Sequence, residues 1–296
     1  MNSTSVAVAC TRCAGYDEQA ELRRAVADAV AAVGGWPECV LQPGAKVLLK
    51  PNLLSARAPE EAISTHPELV RAVIGELHCA GVRDLTIGDS PAGRQDWEKL
   101  WAITGMRTVA DATGAKLLPF ERVHRVEIAG VGPVPVLAEL SDFTAVISLP
   151  KLKSHLLTKH SGAVKNSYGL MPGLAKSGFH VRYPSPRRMA NFLAEFYRHT
   201  RPHLVIMDAV DCLVGEGPAN GRPHRLGRIL AGLDAVAVDA VSVEVFGYGP
   251  EEIPLLARCA ELGLGVAERS AILRVGNGWE GWPGPQLPGS RADFLQ

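Results

Sequence analysis

Between Asp142 and Glu195 this sequence contains no aspartate or glutamate. The chain of 296 residues balances 31 Lys+Arg against 31 Asp+Glu, so the gap segregates charge within a neutral protein. Overall neutrality argues against a general binder of nucleic acid or of membrane surfaces. No apolar run approaches the ~18 residues a membrane-spanning helix needs. The first residues lack a charged region followed by a long apolar one, so no signal peptide is expected and a cytoplasmic location is. The six cysteines, Cys10, Cys13, Cys39, Cys79, Cys212 and Cys259, are scattered and offer no disulfide framework. Cys10 and Cys13 have metal or redox spacing, but no second pair completes four ligands, and they read as unrelated thiols. His155 and His160 lie five apart, wrong for the shared helix face of a zinc-protease pair, and no metal ligands are assigned. A GxGxxG turn after a strand, a Walker A loop and a GxSxG elbow are also missing, which removes the obvious dinucleotide, nucleotide and hydrolase readings.

What fills the acid-free zone is lysine. After the apolar run Thr144–Leu149, which reads as a buried strand, the segment from Pro150 to Gly169 carries Lys151, Lys153, Lys159 and Lys165, with His155 and His160 between them. Lys176, Arg182, Arg187 and Arg188 follow. A solvated basic loop would account for the charge alone. Interleaving with glycines and apolar residues points instead to a place where an anion docks.

Apolar strand-like runs alternate with helical patterns along the chain. Strands are expected near Val6–Cys10, Lys46–Asn52, Asp84–Ser90, Thr144–Leu149, His203–Asp208, Arg228–Ala231 and Ala271–Val275. The spacing predicts helices over Glu18–Val33, Pro67–Ala80, Gln95–Thr104, Arg107–Thr113, Arg187–Tyr197, Ala235–Phe246 and Pro250–Leu262. Thr65 or His66 stands near the cap of the second of these. The pattern predicts an α/β protein with a largely parallel central sheet flanked by helices. Short strands within 116–140 predict a small inserted β-rich region. Residues 1–276 read as one domain and 277–296 as a tail rich in Gly, Pro and Trp.

Several strands end in polar residues: Lys50-Pro-Asn52, Gly88-Asp-Ser-Pro91, Lys151 with Lys153, and Asp208. Parallel α/β sheets bind ligands at the carboxyl ends of their strands, so the heads of Lys50, Asp89, Lys151, Lys153 and Lys165 are expected to line one cavity. Gly215-Glu-Gly-Pro218 supplies a glycine-rich loop with Glu216 as its functional side chain. Asp239, in an apolar stretch, needs a partner; it and Asp234 are expected to offset part of the lysine charge.

In order along the chain, Lys50-Pro-Asn52, Thr65-His-Pro67, Gly88-Asp-Ser-Pro91, Pro150-Lys-Leu-Lys-Ser-His155, Gly162-Ala-Val-Lys-Asn166, Gly215-Glu-Gly-Pro218 and Asp234-Ala-Val-Ala-Val-Asp239 resemble the domain-of-unknown-function 362 family. The resemblance covers about residues 5–275. It implies no reaction, because the family as a whole lacks an assigned one. Many members look like iron–sulfur proteins carrying a ferredoxin-like module with two cysteine-rich motifs. This sequence has no Cys-x-x-Cys-x-x-Cys run, so an iron–sulfur cluster is not expected. The Ala-, Arg- and Gly-rich composition suggests a bacterial source.

The resulting expectation is an enzyme that binds a small carboxylate- or phosphate-bearing substrate and performs acid–base or carbanion-type chemistry, such as isomerisation or elimination. Lys151, Lys153, Asp89 and Lys165 are the candidate catalytic residues. Lys50, Asn52, His66, Ser90, His155, Asn166, Asp208 and Glu216 are the candidate substrate-binding residues. Clustered lysines depress one another's pKa, which suits one of them to act as a base. The partner is a small anion rather than nucleic acid or membrane; homo-oligomerisation stays open. Two alternatives belong to other classes: a redox or metal-cluster protein using Cys10 and Cys13, and a non-catalytic module for an anionic metabolite.

Overall fold

The computed structural model describes residues 5–282 and Leu287. Its strands are β1 (Val6–Arg12), β2 (Lys46–Pro51), β3 (Asp84–Asp89), β4 (Lys116–Pro119), β5 (Val123–Ile128), β6 (Gly132–Leu137), β7 (Ala145–Leu149), β8 (Lys151–His155), β9 (Lys159–Ser161), β10 (Leu204–Val214), β11 (Arg222–Gly232) and β12 (Ile272–Val275). Its α-helices are α1 (Gln19–Ala32), α2 (Glu38–Leu41), α3 (Pro67–Cys79), α4 (Trp97–Ile103), α5 (Met106–Thr113), α6 (Ala163–Asn166), α7 (Gly173–Arg182), α8 (Pro186–His199), α9 (Ala235–Ser242) and α10 (Pro254–Glu261).

The main sheet runs β12-β1-β11-β10-β7-β2-β3-β4. β11 is antiparallel to both its neighbours, and the other pairings along this path are parallel. The fold is therefore the expected α/β type with a mostly parallel sheet. Side chains alternate across it as strand geometry requires. Val47, Leu49, Ile147, Leu204 and Ile206 join the core under α1, α3 and α5. Leu48, Val146, Val205 and Met207 join the core under α8, α9 and α10.

The helices form where apolar spacing and caps coincide. In α1, Leu22, Ala25, Val26, Ala29 and Val30 make one buried stripe. His66 caps α3, its Nδ1 accepting the Glu68 N–H at 3.3 Å, with Pro67 at the first helical position. In α8, Ser185 caps the first turn, and Met189, Phe192, Leu193, Phe196 and Tyr197 are buried.

Two boundaries differ from expectation. The inserted β-rich region shrinks to the hairpin β5–β6, because β4 pairs with β3 at the edge of the main sheet. The helices expected over 235–246 and 250–262 each contain a 3₁₀ piece, at Val243–Phe246 and Pro250–Glu252. Of the C-terminal tail, Trp279 and Trp282 pack on the core; 283–286 and 288–296 lie outside the described residues.

Pro150 positions the site. It interrupts the run from β7, so the chain steps and pairs again as β8 with the second half of β10. The Pro150 carbonyl accepts the Asp208 N–H at 2.8 Å. The basic segment is thus not a surface loop but a buried strand, a short return strand and helix α6.

Candidate functional site

Lys50 and Asp89 stand near the ends of the parallel strands β2 and β3, and Lys151, at the start of β8, is in register with Asp208, midway along β10. There they form two buried ion pairs. Lys50 Nζ lies 2.8 Å from Asp89 Oδ1 and also donates to Asn166 Oδ1 (2.9 Å) and the Pro51 carbonyl (3.1 Å). Asp89 Oδ2 accepts the Leu53 N–H at 2.6 Å. Asn166 is fully used, its Nδ2 donating to the Lys50 carbonyl and Ser148 Oγ. Burial lowers the Lys50 pKa, and Asp89 opposes the shift. Gly169 packs so closely on this pair that a Cβ there would overlap Asp89 Oδ1 and Lys50 Nζ.

The second pair is Lys151 with Asp208, 3.0 Å apart and fully buried. Asp208 also takes the Tyr16 hydroxyl (2.6 Å) and the His66 N–H (2.9 Å). Lys151 donates to the Tyr16 oxygen at 3.1 Å. Tyr16 stacks on His66 with ring centres 3.6 Å apart, and burial with the neighbouring Asp208 pushes its pKa well up.

A cavity of about 310 Å³ opens beside the first pair. Its polar wall comes from Asn52, Asp89, Ser90, Lys153, His155, Thr158, Ser161, Lys165, Asn166 and Lys176, and its apolar wall includes Leu53, Leu54, Leu157, Met189 and Leu193. Three lysines face it with no carboxylate hydrogen-bonded to them among the described residues. Lys153 Nζ donates to the Ile63 carbonyl at 2.8 Å. Burial, with Lys165 and then the other lysines adding repulsion against Asp89, holds its pKa well below the usual lysine value. Lys165 has no hydrogen-bond partner among the described residues, and desolvation lowers it to about 8. Lys176 donates to the Ser90 carbonyl and sits 5.4 Å from the Tyr168 ring centre; burial lowers it to about 7. Asn52 Oδ1 is buried with no hydrogen-bond partner among the described residues.

The sequence-derived candidates therefore separate. Asn52, Asp89, Ser90, Lys153, His155, Lys165 and Asn166 line the cavity. Lys50 lies behind Asp89, and Lys151, Asp208 and His66 form the neighbouring buried cluster. The expectation that all five heads line one cavity is corrected by pairing: Lys50 and Lys151 are drawn to carboxylates. Glu216 is exposed and outside the cavity wall. Its loop supports β8 through the backbone instead, Gly215 accepting from Ser154 Oγ and Gly217 from the Leu156 N–H. Asp239 and Asp234 pair with no lysine. Asp239 accepts the N–H groups of Ala163 and Val164, while Asp234 caps α9 and accepts the Val266 N–H. Burial raises Asp239 to about 7.

Tyr16 gave no signal in the sequence, since nothing local distinguishes it. Lys176 is part of the acid-free zone, but its approach to the cavity depends on how α7 packs. Cys10 and Cys13 are buried, and burial raises their thiol pKa values to about 12 and about 11. Among the described residues no three His, Cys, Asp or Glu side chains gather as metal ligands. None of the described helices is long and apolar enough to cross a membrane.

A family model described as a domain of unknown function (DUF362) matches residues 47–244. The chain belongs to this family. Every cavity-lining lysine, and both ion pairs, fall inside the matched segment. Thylakoid-associated protein sll1697 of Synechocystis is 33% identical over 235 residues, which cover 76% of this chain and 70% of that protein. The lactate racemase apoprotein from Thermoanaerobacterium thermosaccharolyticum aligns with a TM-score of 0.48 at 10% identity, over 88% of this chain and 58% of that one.

Proposed function

We propose that this DUF362 protein is an enzyme that binds a small carboxylate- or phosphate-bearing molecule in the lysine cavity and moves a proton on it. The observation that carries this reading is Lys153: buried, held by a single carbonyl, and facing a cavity beside two further lysines. Desolvation favours the neutral amine of such a lysine, whose lone pair can accept a proton. Lys165 and Lys176 neutralise the bound anion. The step is abstraction of a proton from the carbon next to a carbonyl or carboxylate. The C–H bond breaks, the proton goes to Lys153 Nζ, and the electron pair spreads onto the substrate oxygen facing the cationic lysines. Return of that proton from Lys153 to a neighbouring carbon of the delocalised anion gives isomerisation; departure of a neighbouring group, which takes a proton from cationic Lys165 or Lys176 as it leaves, gives elimination.

Asp89 serves this reading as a positioning residue, since Lys50 and the Leu53 N–H already occupy its two oxygens. The test is solvent exchange: small α-hydroxy carboxylates and phosphate esters are incubated with the protein in D₂O and followed by proton NMR. Exchange that persists in Lys165→Met at reduced rate but vanishes in both Lys153→Met and Lys153→Arg supports the base assignment, because guanidinium does not deprotonate near neutral pH. Tight anion binding with no exchange would make the protein a binding module instead.

A further inference from the structure

The walls of the cavity specify more than negative charge. Asp89 is the carboxylate among the described lining residues, and Lys50 already pairs with it. That leaves Lys153, Lys165 and Lys176 facing the same space with no anion of their own. With Lys153 neutral as the base, Lys165 and Lys176 are two desolvated cations, and a single negative charge would not balance both. Asn52, in the same wall, presents a buried carbonyl oxygen with no donor among the described residues, and an acceptor left unmet in this way favours a ligand that brings a donor. Leu157, Met189 and Leu193 contribute apolar lining. At about 310 Å³, the space lies near the lower end for small-molecule sites.

We infer that the ligand of this cavity is a small dianion carrying a hydroxyl group, its two negative charges met by Lys165 and Lys176 and its hydroxyl donated to Asn52 Oδ1. This rests on the proposed function of the same site and names its substrate class: hydroxylated dicarboxylates or phosphate monoesters of a few carbons. Among the described residues, the other charged and titratable groups around the lysines are Lys50, Asp89, Lys151, His155, His160 and Tyr168. Of these, Asp89 is the anion, and it is already committed.

Binding also has to move protons. Lysines that desolvation holds partly neutral regain their charge when a dianion arrives beside them. Calorimetry on the wild-type chain at pH 8, in two buffers of different ionisation enthalpy, reads affinity and proton uptake together. The probes are malate, succinate, lactate and glycerol 3-phosphate. Malate should bind roughly tenfold more tightly than lactate, one pairing more, and with larger proton uptake. It should bind roughly fivefold more tightly than succinate, which lacks the hydroxyl. Asn52→Leu should bring the malate-to-succinate ratio towards one, and Lys176→Met the malate-to-lactate ratio. Comparison of malate with glycerol 3-phosphate tells the dicarboxylate from the phosphate source. Lactate binding as tightly as malate with equal proton uptake would overturn the dianion while leaving the anion site in place. Succinate matching malate would overturn the hydroxyl. No binding by any of the four probes would overturn both the inference and the function on which it rests.

Discussion

Among the described residues, the four buried lysines and the half-buried Lys165 fall into two groups that the surrounding carboxylates define. Lys50 and Lys151 each lie about 3 Å from an aspartate and are enclosed by further hydrogen bonds. Lys153, Lys165 and Lys176 have a carbonyl partner or none among the described residues, and they face a cavity. The first group fixes strand ends to one another: the Asp89 pair ties β2 to β3, and the Asp208 pair ties β8 to β10. The second does nothing comparable for the fold. A buried charge without a partner is a liability to stability, so its place in a cavity accords with the proposed role in binding and proton transfer.

This contrast breaks most directly at Lys151. Its replacement by Met leaves Asp208 charged and buried, which should cost about 3–5 kcal/mol, read as a lower midpoint in urea denaturation. Adding Asp208→Asn should recover part of the loss, since the stranded charge is gone. Lys153→Met should behave in the opposite sense, leaving stability unchanged or raised while abolishing turnover. If Lys151→Met and Lys153→Met proved equally destabilising, the division into structural and cavity lysines would not hold.

A smaller perturbation reaches the Lys50–Asp89 pair from outside. Gly169→Ala pushes a methyl into both charged heads and should cost about 1–3 kcal/mol by overpacking. Asn166, which grips Lys50, lies on the same segment and should register the shift as altered side-chain amide signals. A variant as stable as the parent would mean that the pair has slack the geometry does not suggest.

Protons sharpen the comparison further. Lys176 has its pKa lowered from 10.5 to about 7 in the folded chain. Between those values the unfolded chain binds more protons, so folding becomes more favourable as pH rises. The penalty is complete below about pH 7 and fades towards 10.5. The stability difference between wild type and Lys176→Met should therefore move in favour of wild type across that window. Measuring the difference cancels the groups common to both, such as Asp239. A flat difference would show Lys176 to be solvated.

Most of the framework could be read before the fold was seen, because apolar period and polar strand ends are local properties. β2, β3 and β7 lie where the apolar runs lie, and His66 caps α3 as its place before Pro67 suggests. The lysines were visible as a group through the missing acids. Which of them would be neutralised was not visible, since Asp208 is 57 residues from Lys151 and Asp89 is 39 from Lys50. Asp239 illustrates the same gap: an aspartate in an apolar helix needs a partner, but backbone N–H groups of α6 meet that need as well as a lysine would. Tyr16 joins the site only because the connection after β1 crosses to β10, where its hydroxyl meets Asp208 and the Asp211 N–H.

The smallest effect is expected where local sequence pointed outside the cavity. Glu216 sits in a glycine-rich loop of the kind that cradles anions, and it was a reasonable binding residue on that ground. In the fold its side chain is exposed, while the loop backbone turns inward to hold β8: Gly215 accepts from Ser154 Oγ at 2.7 Å and Gly217 from the Leu156 N–H at 3.1 Å. Glu216→Gln should therefore leave the denaturation midpoint and the affinity for malate within measurement scatter. Gly217→Ala, one residue away, should not, because a Cβ there overlaps the Ser154 carbonyl and displaces the strand that carries Lys153. A loss of affinity in Glu216→Gln with stability intact would extend the binding surface to the cavity mouth and place a carboxylate near the lysines. The two substitutions together separate what this loop does by charge from what it does by backbone.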